Sequence, residues 1–323
     1  MFFSVIIPVY NRPDEIEELL QSLVLQEDRG FEVVIVEDGS EKTCKHLIPV
    51  FQQQLDIHYF FIPNVGQGFA RNYGMRNSKG DFLVMFDSDC IIPPNYFSSL
   101  KSAIVTRNLD AFGGPDAADS GFSVVQKAMN YSMTSKLTTG GIRGKLKNLG
   151  KYQARGYNMG LSREAFEKSE GFIDPNKGED IELSIRLKKL GMKLELVEEA
   201  YVIHRRKNTL WGFFKQSYSF GQNRVNVSRY HPEAIKLVHV LPAVFLLFVL
   251  ALAIAVFVLQ SDSIILIGGV FTLAIWKVAV FLDSTLVNKS IIIGLVSVVT
   301  SFGQLSAYGL GLIVESLRKL LKG

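Results

Sequence analysis

The sequence contains little cysteine, with only Cys44 and Cys90 in 323 residues. Two cysteines are too few for a disulfide framework, so we expect a protein of a reducing compartment. The first residues, Met1 to Pro8, include neither a basic segment nor a long apolar run, which argues against a signal peptide. We therefore expect the N-terminal part of the chain to stay in the cytoplasm.

A concentrated positive charge is also missing. The formal net charge is only +4 and the basic residues are spread along the chain, so we expect no nucleic-acid partner. The mean hydropathy is nevertheless +0.19, which is high for a soluble protein. The excess of apolar residues lies in the C-terminal third, which indicates a membrane region there.

Long apolar runs are found only near the C-terminus, over 237–323. The run 238–259 contains no Asp, Glu, Lys or Arg and is long enough to cross a hydrocarbon core of roughly 30 Å. A weaker run, 264–282, is interrupted by Lys277, and a third run covers 291–313. We expect three transmembrane helices at about these positions.

Three spans that start inside conflict with the charge of the tail. They would place Arg318, Lys319 and Lys322 outside, against the positive-inside tendency. Either the tail is outside, or one segment is re-entrant and returns the tail to the cytoplasm.

The segment 209–236 precedes these runs and mixes aromatic residues with cations. Its aromatic and small residues recur at helical spacing, at Trp211, Phe214, Tyr218, Gly221 and Val225, with Lys215, Arg224 and Arg229 between them. This pattern is typical of an amphipathic helix in the membrane interface. A helix that packs its aromatic residues on the preceding domain would have the same pattern, and both could hold.

The residues 1–208 alternate strand and helix patterns. The predicted strands are Phe3 to Val9, Phe31 to Val36, Ile57 to Ile62 and Phe82 to Phe86. Strands that alternate with helices predict an α/β domain with a doubly wound, mostly parallel sheet. After the first strand, Asn11 is the expected cap of a helix that has Pro13 in its first turn.

A glycine-rich first turn, as in dinucleotide-binding domains, is absent. The later loop around Gly66 and Gly68 lacks the third glycine of that fingerprint, so we expect no dinucleotide-binding domain of that type. A loosely patterned segment, 114–151, has the composition of a functional loop or a lid over bound substrate.

The apolar strand 82–86 ends in Asp87-Ser88-Asp89. Ligands of α/β sheets bind beyond the carboxyl ends of such strands, and hard divalent cations take carboxylate oxygens together with phosphates. The pattern favours a metal–diphosphate site. Acidic residues that merely form a turn after a strand are the alternative.

Other polar residues follow strands or open helices in the same way. Glu37 and Asp38 end an apolar strand, Glu179 and Asp180 begin a helix, and His204 ends a strand. Taken singly, acidic residues at a helix start are often only favourable charges for the helix dipole, and a single histidine is often structural.

In chain order the motifs are Pro-Val-Tyr-Asn, Glu-Asp-Gly-Ser, Gly-x-Gly-x-Ala-Arg-Asn, Asp-Ser-Asp, Gly-Glu-Asp and a histidine at a strand end. This order resembles the family 2 inverting glycosyltransferases, which have the GT-A fold. The resemblance covers about residues 3–206.

The resemblance implies a site for a nucleoside-diphosphate sugar. Asp38 would hydrogen-bond the base, and Arg71 would approach the base or the diphosphate. The rest of the binding pocket would be formed by Pro8, Tyr10, Asn11 and Gly66.

The resemblance also implies a metal and a base. Asp89 would bind Mg²⁺ or Mn²⁺, Asp87 would contact the ribose or help to hold the metal, and His204 would complete the metal site or contact the phosphates. Asp180 would be the general base, and its neighbour Glu179 would belong to the substrate-binding residues.

Processive members of the family carry Gln-x-x-Arg-Trp near this point, whereas this chain has Gln222-Asn223-Arg224-Val225 without the tryptophan. We therefore expect the addition of one sugar. The predicted protein is a multi-pass enzyme of the cell inner membrane with a cytoplasmic catalytic domain. Its donor is a nucleoside-diphosphate sugar, UDP-linked by preference, and its acceptor is a hydroxyl of a lipid-linked or other membrane-surface saccharide.

Two other functions remain open from the sequence. The first is transfer to a polyprenyl phosphate. The second is a non-catalytic membrane scaffold that senses sugar nucleotides.

Overall fold

The computed structural model describes residues 1–117, 122–139, 152–204, 209–260 and 263–322. Of the predicted lid over 114–151, residues 118–121 and 140–151 lie outside these ranges.

The chain forms two compact units. The first consists of residues 1–119 and 148–205, and the second of residues 120–147 and 206–323. The sequence pattern placed everything up to residue 208 in one domain, whereas the structure groups 120–147 with the C-terminal helices. Within the second unit, Met129 and Met133 pack against Phe213, a long-range contact that the local pattern does not reveal.

The first unit contains all the strands of the described residues. They are β1 Phe3–Val9, β2 Phe31–Asp38, β3 Ile57–Ile62, β4 Phe82–Phe86, β5 Cys90–Ile91, β6 Ala111–Gly113, β7 Asp116–Ala117, β8 Asn158–Ser162, β9 Leu194–Leu196 and β10 Val202–His204. Its helices are α1 Pro13–Val24, α2 Ile48–Phe51, α3 Gln67–Arg76, α4 Tyr96–Arg107, α7 Arg163–Ser169 and α8 Glu179–Lys189. In the second unit, α5 is Val124–Thr134, α6 Lys136–Thr139, α9 Leu210–Tyr230, α10 Leu237–Val258, α11 Ile264–Asn288 and α12 Ile291–Lys322.

A seven-stranded sheet of order β3-β2-β1-β4-β8-β6-β9 organises the first unit. The strand β1 is parallel to β2 and β4, and β2 is parallel to β3. All five residues of β4 are buried, as expected for a strand covered on both faces. The predicted mostly parallel α/β sheet is confirmed, and the carboxyl ends of β1, β2 and β4 lie side by side.

One central strand, β8, is antiparallel to both of its neighbours, β4 and β6. Its local sequence does not indicate a strand, because Asn-Met-Gly-Leu-Ser contains no β-branched apolar residue. Gly160 allows it to fit, since a Cβ on this residue would lie 2.6 Å from the carbonyl oxygen of Leu83.

We expect Gly160→Ala to destabilise the first unit by about 1–3 kcal/mol, the usual cost of overpacking a tight core. Thermal unfolding in detergent measures the effect as a lower Tm. Gly268→Ala is the control, because a Cβ at Gly268 would meet nothing within 4 Å. Equal Tm values for the two variants would contradict this account of β8.

The start of α1 differs from the prediction. Pro13 is in the first turn, but the cap residue is Arg12, which makes no capping side-chain hydrogen bond. Asn11 has a φ of 56°, and its Oδ1 accepts hydrogen bonds from the backbone N–H groups of Glu41 and Lys42 at 2.9 and 3.0 Å. The expected helix cap was wrong, because this side chain connects the loops after β1 and β2.

The second unit is helical throughout its described residues. Three of its helices are long and apolar enough to cross a membrane, namely 237–258, 264–288 and 291–321. Two of them extend well beyond the predicted ends at 282 and 313. The helix α9 occupies most of the predicted linker 209–236, and Thr209 caps it by accepting a hydrogen bond from the N–H of Gly212.

Candidate active site

Asp38, at the end of β2, is buried and holds the loop that follows β3. Its two carboxylate oxygens accept hydrogen bonds from the N–H groups of Val65 and Gly66 at 2.7 and 3.0 Å. The side chain of Asn64 donates to the backbone carbonyl of Asp38 at 2.9 Å. Gly66 has a φ of 89°, a conformation that favours glycine. Asp38 therefore fixes the entry to α3, and its predicted contact with a nucleotide base stays a prediction.

The residues predicted to complete the nucleotide pocket lie at the end of β1, beside Asp38. Pro8 pairs with Val36 in the parallel register of β1 and β2. Tyr10 is 52% exposed, and the N–H of Asn11 donates to Ser40 Oγ at 2.8 Å. An exposed aromatic ring beside these strand ends provides a surface on which a base can stack.

Arg71 connects the end of β4 with the start of α8. Its guanidinium is 1% exposed and lies 2.6 Å from Asp87 Oδ1 and 3.3 Å from Glu179 Oε1. Gly156 leaves room for it, because a Cβ there would be 2.7 Å from Arg71 Nη1. The ring of Phe172 lies 5.6 Å from the guanidinium carbon. The structure thus brings three predicted site residues into one ionic network around the buried Arg71.

Glu179 is a buried carboxyl group in this network. The side chain of Gln67 donates to its Oε1 at 2.5 Å. Burial, followed by the charge of Asp180, raises the pKa of Glu179 to about 7, although Arg71 opposes the shift. Burial therefore favours the neutral form of Glu179 relative to an exposed carboxyl group.

This titration predicts how stability depends on pH. Because the pKa is raised from 4.5 in the unfolded chain to about 7, the folded state is favoured by protonation. That stabilisation is complete below pH 4.5 and is lost as the pH rises through 7. As the pH rises from 5 to 8, we expect the free energy of unfolding of Glu179→Gln to increase by up to about 3 kcal/mol relative to that of the native protein.

Thermal unfolding of the two proteins across this pH range measures the difference. The exposed Glu167→Gln on α7 is the control and should follow the native pH profile. Parallel profiles for Glu179→Gln and the native protein would show that Glu179 does not titrate in this range.

Asp89 lies in the turn between β4 and β5. Its side chain is 13% exposed, and its Oδ2 is 3.5 Å from Arg12 Nη1. Arg12 also pairs with Glu15 at 2.9 Å. The antiparallel pairing of β5 and β10 sets His204 opposite Cys90, so the backbone of the predicted histidine ligand lies next to that of Asp89.

Asp180 is half-buried in the first turn of α8. Its Oδ1 accepts a hydrogen bond from the N–H of Ile181 at 2.7 Å, and its Oδ2 accepts one from the N–H of Gly156 at 3.2 Å. The residue before the helix, Gly178, has a φ of 82°. Asp180 is therefore held in place by backbone donors and follows Glu179 directly.

The donor atoms of this site fit a hard divalent cation. Asp87 and Asp89 supply carboxylate oxygens, and the ion pair with Arg71 uses only Oδ1 of Asp87, whose side chain remains 33% exposed. Carboxylates suit Mg²⁺ and Mn²⁺.

A second cluster of possible metal ligands lies at the other end of the strands. It consists of Glu32, Asp56 and His58, near the amino ends of β2 and β3. His58 Nε2 is 3.2 Å from Glu32 Oε2 and 3.3 Å from Asp56 Oδ1. These contacts already give His58 two carboxylate neighbours, and the cluster contains none of the predicted ligands.

Sequence reasoning missed Arg12 and Gln67 as members of the site. Each stands beside a residue that was identified, next to Asn11 and Gly66 respectively. The sequence signal for Arg12 is limited to its position as a cationic residue directly after the Pro-Val-Tyr-Asn motif.

Two solved structures have folds similar to that of this chain. The mannosyltransferase PcManGT from Pyrobaculum calidifontis, solved with GDP-Man and Mn²⁺, matches with a TM-score of 0.66 and 16% identity over 93% of this chain and 86% of its own. TarS of S. aureus matches with a TM-score of 0.52 and 20% identity over 71% of this chain and 39% of its own. The fold is GT-A, that of nucleotide-sugar-dependent glycosyltransferases.

The sequence identifies the family within that fold. The family model described as glycosyl transferase family 2 matches residues 4–169, about half of the chain, and the chain belongs to this family.

Curated relatives match over shorter segments. An uncharacterized glycosyltransferase of Haemophilus influenzae is 42% identical over 94 residues, which are 28% of this chain and 30% of the relative. Glycosyltransferase AglE of Haloferax volcanii is 32% identical over 117 residues, 35% of this chain and 38% of AglE. The first relatives align over only 12–14% of their own length.

Proposed function

We propose that this family 2 glycosyltransferase is a membrane-anchored, inverting enzyme that transfers one sugar from a nucleoside-diphosphate sugar, UDP-linked by preference, to a hydroxyl group. The acceptor is a lipid-linked or other membrane-surface saccharide, and the catalytic unit faces the cytoplasm at the inner membrane. The observation that carries the proposal is the ionic network in which Arg71 joins Asp87 to Glu179 beside Asp89 and Asp180.

The nucleotide binds at the carboxyl ends of β1 and β2. Tyr10 supplies an exposed ring for the base, and Asp38 fixes the loop of Gly66 from beneath. Arg71 lies behind Asp87, so its positive charge acts toward the diphosphate from within the protein. Because Asp87 and Glu179 hold the guanidinium on two sides, the charge is positioned before the donor arrives.

Asp87 and Asp89 would hold Mg²⁺ or Mn²⁺, with His204 as a further ligand. When bound, the ion supplies positive charge that stabilises the leaving diphosphate. The protein arranges its ligands through the turn between β4 and β5 and through the pairing of β5 with β10.

Asp180 acts as the general base. The N–H groups of Ile181 and Gly156 hold its carboxylate in one orientation, and a carboxylate oxygen retains lone pairs for a hydroxyl proton. As Asp180 takes that proton, the acceptor oxygen attacks the anomeric carbon from the face opposite the leaving nucleotide. One displacement inverts the anomeric centre.

The apolar helices of the second unit support an acceptor at the membrane. An enzyme anchored by helices of this length meets acceptors that are themselves held at the bilayer. The lack of tryptophan after Gln222-Asn223-Arg224 supports addition of a single sugar.

Nucleotide release by the detergent-purified protein tests the proposal across a panel of UDP- and GDP-sugars, with Mg²⁺ or Mn²⁺ and with chelator. We expect slow hydrolysis of one UDP-sugar that the chelator abolishes. Preference for a GDP-sugar would correct the donor. No turnover and no metal-dependent binding of any donor, with membrane lipids added, would favour the non-catalytic scaffold.

A further inference from the structure

The helix α12 differs from the other two membrane-length helices in how much of it the protein covers. Of the 18 most apolar consecutive residues in each helix, 39% are buried by protein in α12, against 11% in α10 and 6% in α11. The same segment of α12 is also the least apolar, with a mean hydropathy of 1.6 against 3.0 for α10 and 2.3 for α11. A helix that crosses lipid beside few neighbours is largely uncovered, as α10 and α11 are. The cover of α12 comes from α5 and α9 as well as from α10 and α11.

The amphipathic helix α9 runs closely alongside α12. A Cβ at Gly303 would collide with the ring of Phe214, one at Gly221 with the carbonyl oxygen of Tyr308, and one at Gly311 with that of Tyr218. These glycines allow the two backbones to approach each other.

Polar contacts continue the same pairing toward the C-terminus. Arg229 Nη2 lies 3.0 Å from Glu315 Oε1, and Lys319 Nζ donates to Ser228 Oγ at 3.0 Å. Residue numbers rise together in both helices, from Phe214 beside 303 to Arg229 beside 315. The two helices are therefore parallel neighbours over about 15 residues, which is roughly 20 Å of helix.

The composition of α9 excludes it from the hydrocarbon core. It carries Lys215, Arg224 and Arg229 together with Gln222 and Asn223. Charged and amide side chains at the centre of a bilayer are costly. If α12 crossed the core over 303–319, α9 would have to lie in the core beside it.

The first half of α12 also packs on polar groups. Thr300 Oγ1 and Ser301 Oγ lie 2.7 and 2.9 Å from Ser132 Oγ of α5, and Ser284 Oγ donates to Ser297 Oγ at 2.7 Å. All five hydroxyl groups are buried, with 0% exposure. This face of α12 is directed at protein along its length.

We infer that α12 does not cross the membrane, and that α9 and α12 form a paired surface that lies on the bilayer, while α10 and α11 form the membrane hairpin. The partner of this surface is the lipid interface. Leu310, Leu317 and Leu321 are 48%, 54% and 87% exposed and provide apolar contact, and Arg318 and Lys319 suit anionic headgroups.

This arrangement removes the conflict between three spans and the basic tail. With two crossings, the C-terminus returns to the side on which α9 lies, and Arg318 and Lys319 obey the positive-inside tendency.

Cysteine labelling of the full-length protein in membranes tests the inference. Four single variants serve as probes, namely Glu233→Cys after α9, Gln260→Cys between α10 and α11, Lys289→Cys between α11 and α12, and Leu321→Cys at the end of α12. A membrane-impermeant maleimide is applied to right-side-out and to inverted vesicles. The native protein is the blank, since Cys44 and Cys90 are buried.

We expect Lys289→Cys and Leu321→Cys to be labelled from the same side as Glu233→Cys, and Gln260→Cys from the opposite side. Labelling of Lys289→Cys from the side of Gln260→Cys, with Leu321→Cys on the side of Glu233→Cys, would mean that α11 returns without crossing and α12 crosses, which would overturn the inference. Labelling of Leu321→Cys from the side of Gln260→Cys would show that α12 crosses and would overturn the inference. A peptide tag after Gly323, probed by protease in both vesicle types, reports independently on which side of the membrane the C-terminus lies. Digestion only from the side of Glu233→Cys supports the inference, and digestion from the other side refutes it.

Discussion

Asp89→Ala is expected to lower donor turnover by about 10²- to 10³-fold or more, the scale seen when one preorganised group that stabilises developing charge is removed. The variant takes away a carboxylate oxygen beside Asp87 and leaves Arg12 without the acidic neighbour at 3.5 Å. Loss of metal affinity should accompany loss of turnover. Calorimetric titration of Mn²⁺ in the presence of the nucleotide measures the first, and nucleotide release measures the second.

The cluster of Glu32, Asp56 and His58 provides the matched control. His58→Ala removes the imidazole of that cluster, at the amino ends of the strands, and should leave metal-dependent turnover unchanged. If His58→Ala abolished metal-dependent turnover while Asp89→Ala did not, the metal of the reaction would belong to the other end of the sheet.

The sheet could be predicted from sequence where local patterns decide the structure. The strands β1 to β4 are apolar runs rich in Val, Ile and Phe, and their order along the chain implies parallel pairing. The strand β8 depends instead on Gly160 fitting between two other strands. A fit of this kind depends on residues distant in sequence, which periodicity does not report.

The candidate site likewise contains residues that local sequence patterns identify and contacts that only residues distant in sequence can form. The acidic residues after β2 and β4 were identified because strand ends are where α/β proteins bind ligands. The sequence did not reveal that Arg71 is buried between Asp87 and Glu179, because those contacts span 16 and 108 positions. Asn11 was assigned to the helix that follows it, yet its partners lie about 30 residues later.

Composition also left the role of α12 open. Its apolar residues fit a membrane span, but several of its small residues face α5, α9 and α11, namely Gly294, Ser297, Thr300, Ser301, Gly303 and Gly311. Hydropathy averages a helix over all its faces and therefore cannot separate a lipid-covered helix from one covered by protein on one side.

Asp180→Asn is expected to lower kcat for sugar transfer by about 10²- to 10⁴-fold, the usual contribution of a general base. Asparagine has the size of aspartate, and its Oδ1 can still accept the hydrogen bond from the N–H of Ile181, so the first turn of α8 should keep its structure. The longer hydrogen bond from the N–H of Gly156 is lost, because the amide Nδ2 is only a donor. Donor binding should change little, because Asp180 is assigned to the acceptor proton. Steady-state transfer and nucleotide binding, measured on the same preparation, separate the two effects.

The size of the loss also distinguishes the two classes of acceptor. A polyprenyl phosphate is already an anion and gives up no proton when it attacks, so its transfer would tolerate asparagine at this position. A hydroxyl acceptor must lose its proton to a base. Transfer that stays within a few-fold of the native rate in Asp180→Asn would favour the phosphate acceptor, whereas a loss of a hundredfold or more, with donor affinity unchanged, would support a hydroxyl and Asp180 as its base.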